Sequence, residues 1–177
     1  MQTLPISRKR YNILTLSLVL AASFALPFFI HLIPPHKGIP MGAYLLPMFY
    51  MPLIALFLYG VPMALLVALL APGLNWMFAG NPDGAFAVVL TLELACFTLA
   101  THWLLGKGRG WFAAPLGYLT AKVVSAAVVG IWDIFEVSAV DFYLSSVSNG
   151  TWGILLLLMI NVLFSSFRNK PADKKSV

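Results

Sequence analysis

The stretch that decides the fold runs from His31 to Gly80: HLIPPHKGIPMG (31–42), AYLLPMFYMPLIALFLYG (43–60) and VPMALLVALLAPGLNWMFAG (61–80). A Pro- and Gly-rich loop feeds two apolar runs, with little but the corner Gly60-Val61-Pro62 between them. Two apolar runs that reverse this sharply form a membrane hairpin, with the loop over its open end. Asn75 and Trp76 fall near its far mouth. The rest of the chain is expected to complete a pocket around that hairpin.

Composition agrees with a lipid solvent. The chain has 177 residues, 60% hydrophobic and 10% charged, against about 25% charged in soluble domains. About 20 apolar residues span a bilayer as helix. Barrel strands alternate in polarity, whereas these runs are continuously apolar, so the class is all-α. Six spans are expected: 11–32, 42–59, 62–78, 85–105, 111–132 and 151–167. They make one six-helix transmembrane bundle over residues 1–177, with residues 1–10 and 169–177 as polar ends. The basic triplet Arg8-Lys9-Arg10 before an apolar run also fits a signal peptide. The run is longer than a signal-peptide core, and its small residues lie mid-run, so it reads as the first membrane helix.

Charge placement sets the orientation. Arg8, Lys9 and Arg10 precede the first span, Lys107 and Arg109 separate the fourth and fifth, and Arg168, Lys170, Lys174 and Lys175 follow the sixth. With six spans these nine of the eleven basic residues share one side, and the positive-inside rule puts both termini in the cytoplasm. The loops 33–41, 80–84 and 133–150 then face outward, where long Pro- and Gly-rich connections suggest substrate capture. No repeat relates the two halves, so an inverted-repeat transporter is not supported. No basic tract with interleaved aromatics signals nucleic acid.

Within the spans, Glu93 and Lys122 are the informative residues. Intramembrane ionisable groups face a cavity or a partner. Counting at ~1.5 Å per residue puts them ~12 and ~15 Å below the outer boundary, so they can meet. They form either a structural ion pair or a polar anchor for a ligand. Asn75 is either an interhelical hydrogen-bonding group or a ligand contact. Trp76, Trp132 and Trp152 fall at the outer boundary, as an aromatic belt or as walls for a flat heterocycle. Asp133 and Glu136 are loop acids beside Trp132. His31 and His36 flank the first outer loop, but with Asp133 and Cys96 they have no spacing that gathers a metal site. Cys96, the sole cysteine, reads as a small apolar filler. His102 lies near the inner end of its span. No nucleophile, zinc-protease or P-loop motif is present, so the chain is not expected to be an enzyme and any ATP-driven step falls to partners. Ala21 and Ala25, one turn apart in the first span, form a smooth patch for close helix approach, inside the bundle or on a partner.

These pieces resemble the S components of energy-coupling factor transporters, the membrane subunits that bind vitamins. The matching elements are Ala21-x-x-x-Ala25, the loop HLIPPHKGIP, the segment LYGVPMALLVALLAPGLNWMFAG and the segment LTLELACF. The resemblance implies a multi-pass protein of a bacterial cytoplasmic membrane, with Ala21 and Ala25 docking on the transmembrane coupling protein. It implies a substrate site in the outer half, drawn from the last three helices and the loops after helices one, three and five. Glu93, Lys122, Asp133 and Trp132 would contact the ligand there, with Asn75, His31 and Trp152 as further candidates. The protein would need no cofactor, and ATPases would supply the energy. Some cobalamin-binding members use a cysteine to ligate cobalt, which keeps cobalamin among the candidate substrates through Cys96. The two prolines of the second span, Pro47 and Pro52, depart from the pattern. Two competing readings are a small membrane enzyme acting on lipid or isoprenoid, and a structural subunit of a membrane complex.

Overall fold

The computed structural model describes residues 12–80, 82–108, 110–132, 134–135 and 137–168. Among them the chain forms α1 (Ile13–His31), α2 (Met41–Leu45), a 3-10 turn (Pro47–Phe49), α3 (Tyr50–Tyr59), α4 (Val61–Ala79), α5 (Gly84–Gly106), α6 (Ala113–Trp132), α7 (Ala139–Asn149) and α8 (Thr151–Arg168). Four helices, α1, α4, α5 and α6, are long and apolar enough to cross a membrane. A fifth crossing is available if α7 and α8, bent by 62° at their junction, act together. The protein is therefore an all-helical, multi-pass membrane protein by the length and polarity of its helices.

Local chemistry sets most boundaries. The Asn12 side chain accepts from the Thr15 amide and caps α1, and the Asp83 carboxylate accepts from Phe86 N at 2.9 Å and caps α5. Gly60, at φ 87°, makes the corner between α3 and α4, and Pro62 occupies the first turn beyond it, where a missing amide proton costs nothing. His36 and Ile39 exchange two backbone bonds of 3.0 Å. The first loop is thus a tight hairpin, turning through Lys37 and Gly38 at positive φ.

The expected span over 42–59 is broken. Leu46 adopts the left-handed conformation (φ 53°, ψ 44°) between α2 and the 3-10 turn. Proline disfavours the helical region at the residue before it and cannot donate a backbone bond, so Pro47 ends α2. The Tyr50 hydroxyl donates to Leu45 O across the break. What remains, Pro47–Tyr59, is a shorter apolar helix. The region 133–150, read from the sequence as a mixed outer loop, contains α7. Ser138 Oγ accepts from Asp141 N at 3.1 Å and donates to Asp141 Oδ2 at 2.7 Å, which is a helix-start arrangement.

Helices α5 and α6 run antiparallel, as do α6 and α8, whereas α1 and α4 run parallel, with Leu16 and Val19 near Met63 and Ala64 and Phe24 against Phe78. Ser23 lies beside Asn75 across α1 and α4, Thr101 beside Gly117 across α5 and α6, and Asn161 beside Gly110 and Trp111 between α8 and the start of α6. A Cβ on Gly117 would overlap Thr101 Oγ1 and sit 3.2 Å from Thr101 N. Glycine there lets α5 and α6 pack backbone to backbone. Phe49 lies edge-on to both Phe97 and Tyr118, each 5.2 Å away. With Leu53, Leu94 and Leu157, these rings form the core beneath the Leu46 break. A second cluster joins α3 and α4 through Leu56, Met63 and Val67. The outer faces, Ile13, Leu14 and Leu18 among them, remain apolar and exposed, as lipid-facing surfaces are.

Candidate functional site

A cavity of about 410 Å³ opens at the end of the bundle where α1 finishes and α5 begins. His31, Pro40, Gly42 and Ala43 line it from the first loop and α2, and Leu46 to Phe49 from the break. Pro82 and Asp83 contribute from the turn before α5, and Phe86, Leu90 and Glu93 from α5 itself. Tyr118 and Lys122 come from α6, and Phe142, Ser145, Ser146 and Asn149 from α7. The last four recur at the spacing of one helical face. The break at Leu46 places four consecutive residues, Leu46 to Phe49, in this wall.

Glu93 lies ten residues beyond the Asp83 cap, about 15 Å deeper along the helix at the standard rise. It is 1% exposed and Lys122 is 5% exposed. Lys122 Nζ donates to Glu93 Oε1 at 2.7 Å. Nζ also stands 5.3 Å from the Phe142 ring centroid and 5.8 Å from that of Tyr118, within the range of cation–π attraction. Among the described residues, Glu93 Oε2 has no hydrogen-bond partner. The pair is therefore neutral as a whole, yet its hydrogen-bonding capacity is unspent. Such a pair can hold a polar group at membrane depth without adding net charge.

The other sequence candidates divide. His31 lines the cavity, with Nδ1 2.7 Å from Pro27 O and its ring packed on Gly42. Asn75 does not line it. Its amide donates to Ala71 O at 2.9 Å and to Ser23 O at 3.4 Å, so it ties α4 to α1. Trp132 and Trp152 are 68% and 64% exposed and lie outside the lining. Their side chains face away from the cavity. Trp76 covers Gly84 at the start of α5. Asp133 and Glu136 lie outside the described residues. Cys96 is half-buried against the core and is not a lining residue. Ala21 is exposed and Ala25 half-buried, while Ser23 and Pro27 form the buried side of α1. Among the described residues, no three of His, Cys, Asp and Glu gather closely enough to hold a metal ion.

Sequence reasoning missed the α7 face, Tyr118 and the Leu46 turn. Two signals were present: Leu46 precedes a proline, and Ser138-x-x-Asp141 opens a helix whose inward face is Phe142, Ser145, Ser146 and Asn149. Tyr118 is fully buried, and its hydroxyl donates to Ser146 O at 3.1 Å, which joins α6 to α7.

Comparison with protein-family models, with curated proteins and with solved structures found no match.

Proposed function

We propose that this protein is a membrane-embedded substrate-binding subunit that captures a vitamin-like small molecule from outside a bacterial cytoplasmic membrane. It would hand that molecule to an energising module of a coupling protein and ATPases, in the manner of energy-coupling factor S components. The observation that carries this reading is a cavity of small-molecule size with a buried Lys122–Glu93 pair in its wall. Its lining includes the loop after α1, the turn before α5, and α5, α6 and α7, which fall in regions to which the resemblance assigns the ligand; α2 and the Leu46 break add to that lining, and α8 contributes none of it. In this reading α2 and α3 together make the second of six crossings, and the α7–α8 pair makes the last. The basic ends then lie in the cytoplasm. Lys107, stacked 5.2 Å over Trp103 at the end of α5 remote from the cavity, supports an outward-facing mouth. ATP is consumed by the partners, and Ala21 with Ala25 offers them a smooth helical contact.

The test is mass spectrometry of small molecules that copurify with the full chain extracted in mild detergent. One compound in near-stoichiometric amount is expected, lost from Glu93→Ala and Lys122→Ala. A chain that carries no small molecule and binds none from a pool of water-soluble vitamins would overturn the proposal.

A further inference from the structure

We infer that the cavity is shaped for a flat, electrically neutral heterocycle whose edge carries a hydrogen-bond acceptor beside an N–H donor, as a ring lactam does. This rests on the capture reading and specifies its ligand. Charge favours a neutral guest. Lys122 and Glu93 neutralise one another at 2.7 Å, so an ionic guest would leave one unbalanced charge far from water, which is costly.

The pair also has hydrogen-bonding capacity left over. An ammonium has three donors and a carboxylate two acceptor oxygens. One hydrogen bond joins them, the rings of Tyr118 and Phe142 lie beside Nζ, and Oε2 is unpartnered among the described residues. A donor and an acceptor thus remain side by side. Oε2 is shielded from solvent, so meeting a guest requires the carboxylate to turn about its terminal torsion, which is broad. The complementary edge has an oxygen for Lys122 Nζ and an adjacent N–H for Glu93 Oε2.

The shape of the cavity suits a flat guest. Phe86 and Phe142 bring rings from two helices to the same space, with Tyr118 buried behind them, and about 410 Å³ accommodates a small fused ring system. Rings gain most from flat partners stacked or set edge-on.

The experiment uses the detergent-solubilised full chain, freed of copurifying compounds, in equilibrium dialysis with four matched two-ring probes. These are carbostyril (a neutral lactam), N-methylcarbostyril (the same ring without the donor), naphthoate (an anion) and naphthamidine (a cation). Carbostyril is expected to bind at least about tenfold more tightly than each of the others, because an interior site built to donate and accept rejects a guest that leaves a group unpaired. The methylated control changes the probe and not the protein, so misfolding cannot imitate the result. Tighter binding of naphthoate or naphthamidine, or equal binding of N-methylcarbostyril, would overturn the lactam assignment while leaving capture intact. Failure of carbostyril to bind, with a small molecule still copurifying, would do the same. Failure of every probe together with an empty copurification would remove both readings.

Discussion

Lys122 Nζ on α6 and Glu93 Oε1 on α5 stand 2.7 Å apart, and the second oxygen of that carboxylate has no partner among the described residues. Two helices are thereby locked by an interaction that is incomplete by one hydrogen bond. An ion pair serving only to join helices gains from saturating both oxygens.

Breaking this pair on one side strands the other charge. Glu93→Leu or Lys122→Met alone is expected to destabilise the detergent-solubilised protein by about 3 kcal/mol or more, while the double variant recovers most of the loss. Thermal unfolding of the three variants checks this. Additive losses in the double variant would mean that the two charges are solvated separately.

Gly117 offers a cleaner packing test. A Cβ there would overlap Thr101 Oγ1, a buried hydroxyl oxygen with no partner among the described residues. Gly117→Ala is expected to cost about 1–3 kcal/mol through overpacking. Thr101→Ala should be nearly neutral alone and should rescue part of the Gly117→Ala loss in combination. The rescue stays partial because Thr101 N and Phe97 O also approach that position, at 3.2 and 3.3 Å. Melting temperatures across the cycle decide it.

Asn161 donates to the carbonyls of Gly110 and Trp111, and Ser165 Oγ reaches Gly110 O at 3.3 Å. These polar groups of α8 hold the turn that launches α6. Asn161→Leu takes a donor from the Trp111 carbonyl and leaves Gly110 O with Ser165 Oγ alone, at a cost of about 1–3 kcal/mol. Amide exchange should quicken around residues 110–113 well before it does in α5. Unchanged exchange there would show that α8 does not restrain the turn.

Orientation can be read chemically. In a Cys96→Ala background, a cysteine replacing exposed Ser148 on α7 should react with a membrane-impermeant maleimide on intact cells. A cysteine replacing exposed Lys107 should react only after permeabilisation. The reverse pattern would place the cavity mouth in the cytoplasm and defeat the capture proposal.

Much of this arrangement was legible in the chain. The Gly60-Val61-Pro62 corner and the limits of α1, α4, α5, α6 and α8 follow from apolar run length and turn chemistry, and agree with the sequence within a few residues. Counting the rise per residue brought Glu93 to Lys122, because two buried opposite charges at similar depth on adjacent antiparallel helices have few other solutions. What length and polarity do not reveal is where an apolar run stops being one helix. Pro47 and Pro52 both lie in the second run, yet only Pro47 breaks it. Pro52 falls in the first turn of α3, where a missing donor is tolerated. Asn75 was ambiguous for a different reason. An amide can bond its own helix, a neighbour or a ligand, and only the proximity of Ser23 decides among them. The tryptophans were placed at a boundary by sequence position, but which side of the helix each indole occupies depends on packing.

The left-handed Leu46 has a mechanical consequence. Its side chain forms part of the cavity wall on one side. On the other it fills the space that a Cβ would need at Gly150 and Gly153, at 3.2 and 2.5 Å. No slack remains between the chamber and the elbow joining α7 to α8. A guest broad enough to press on Leu46 would therefore press on that elbow too.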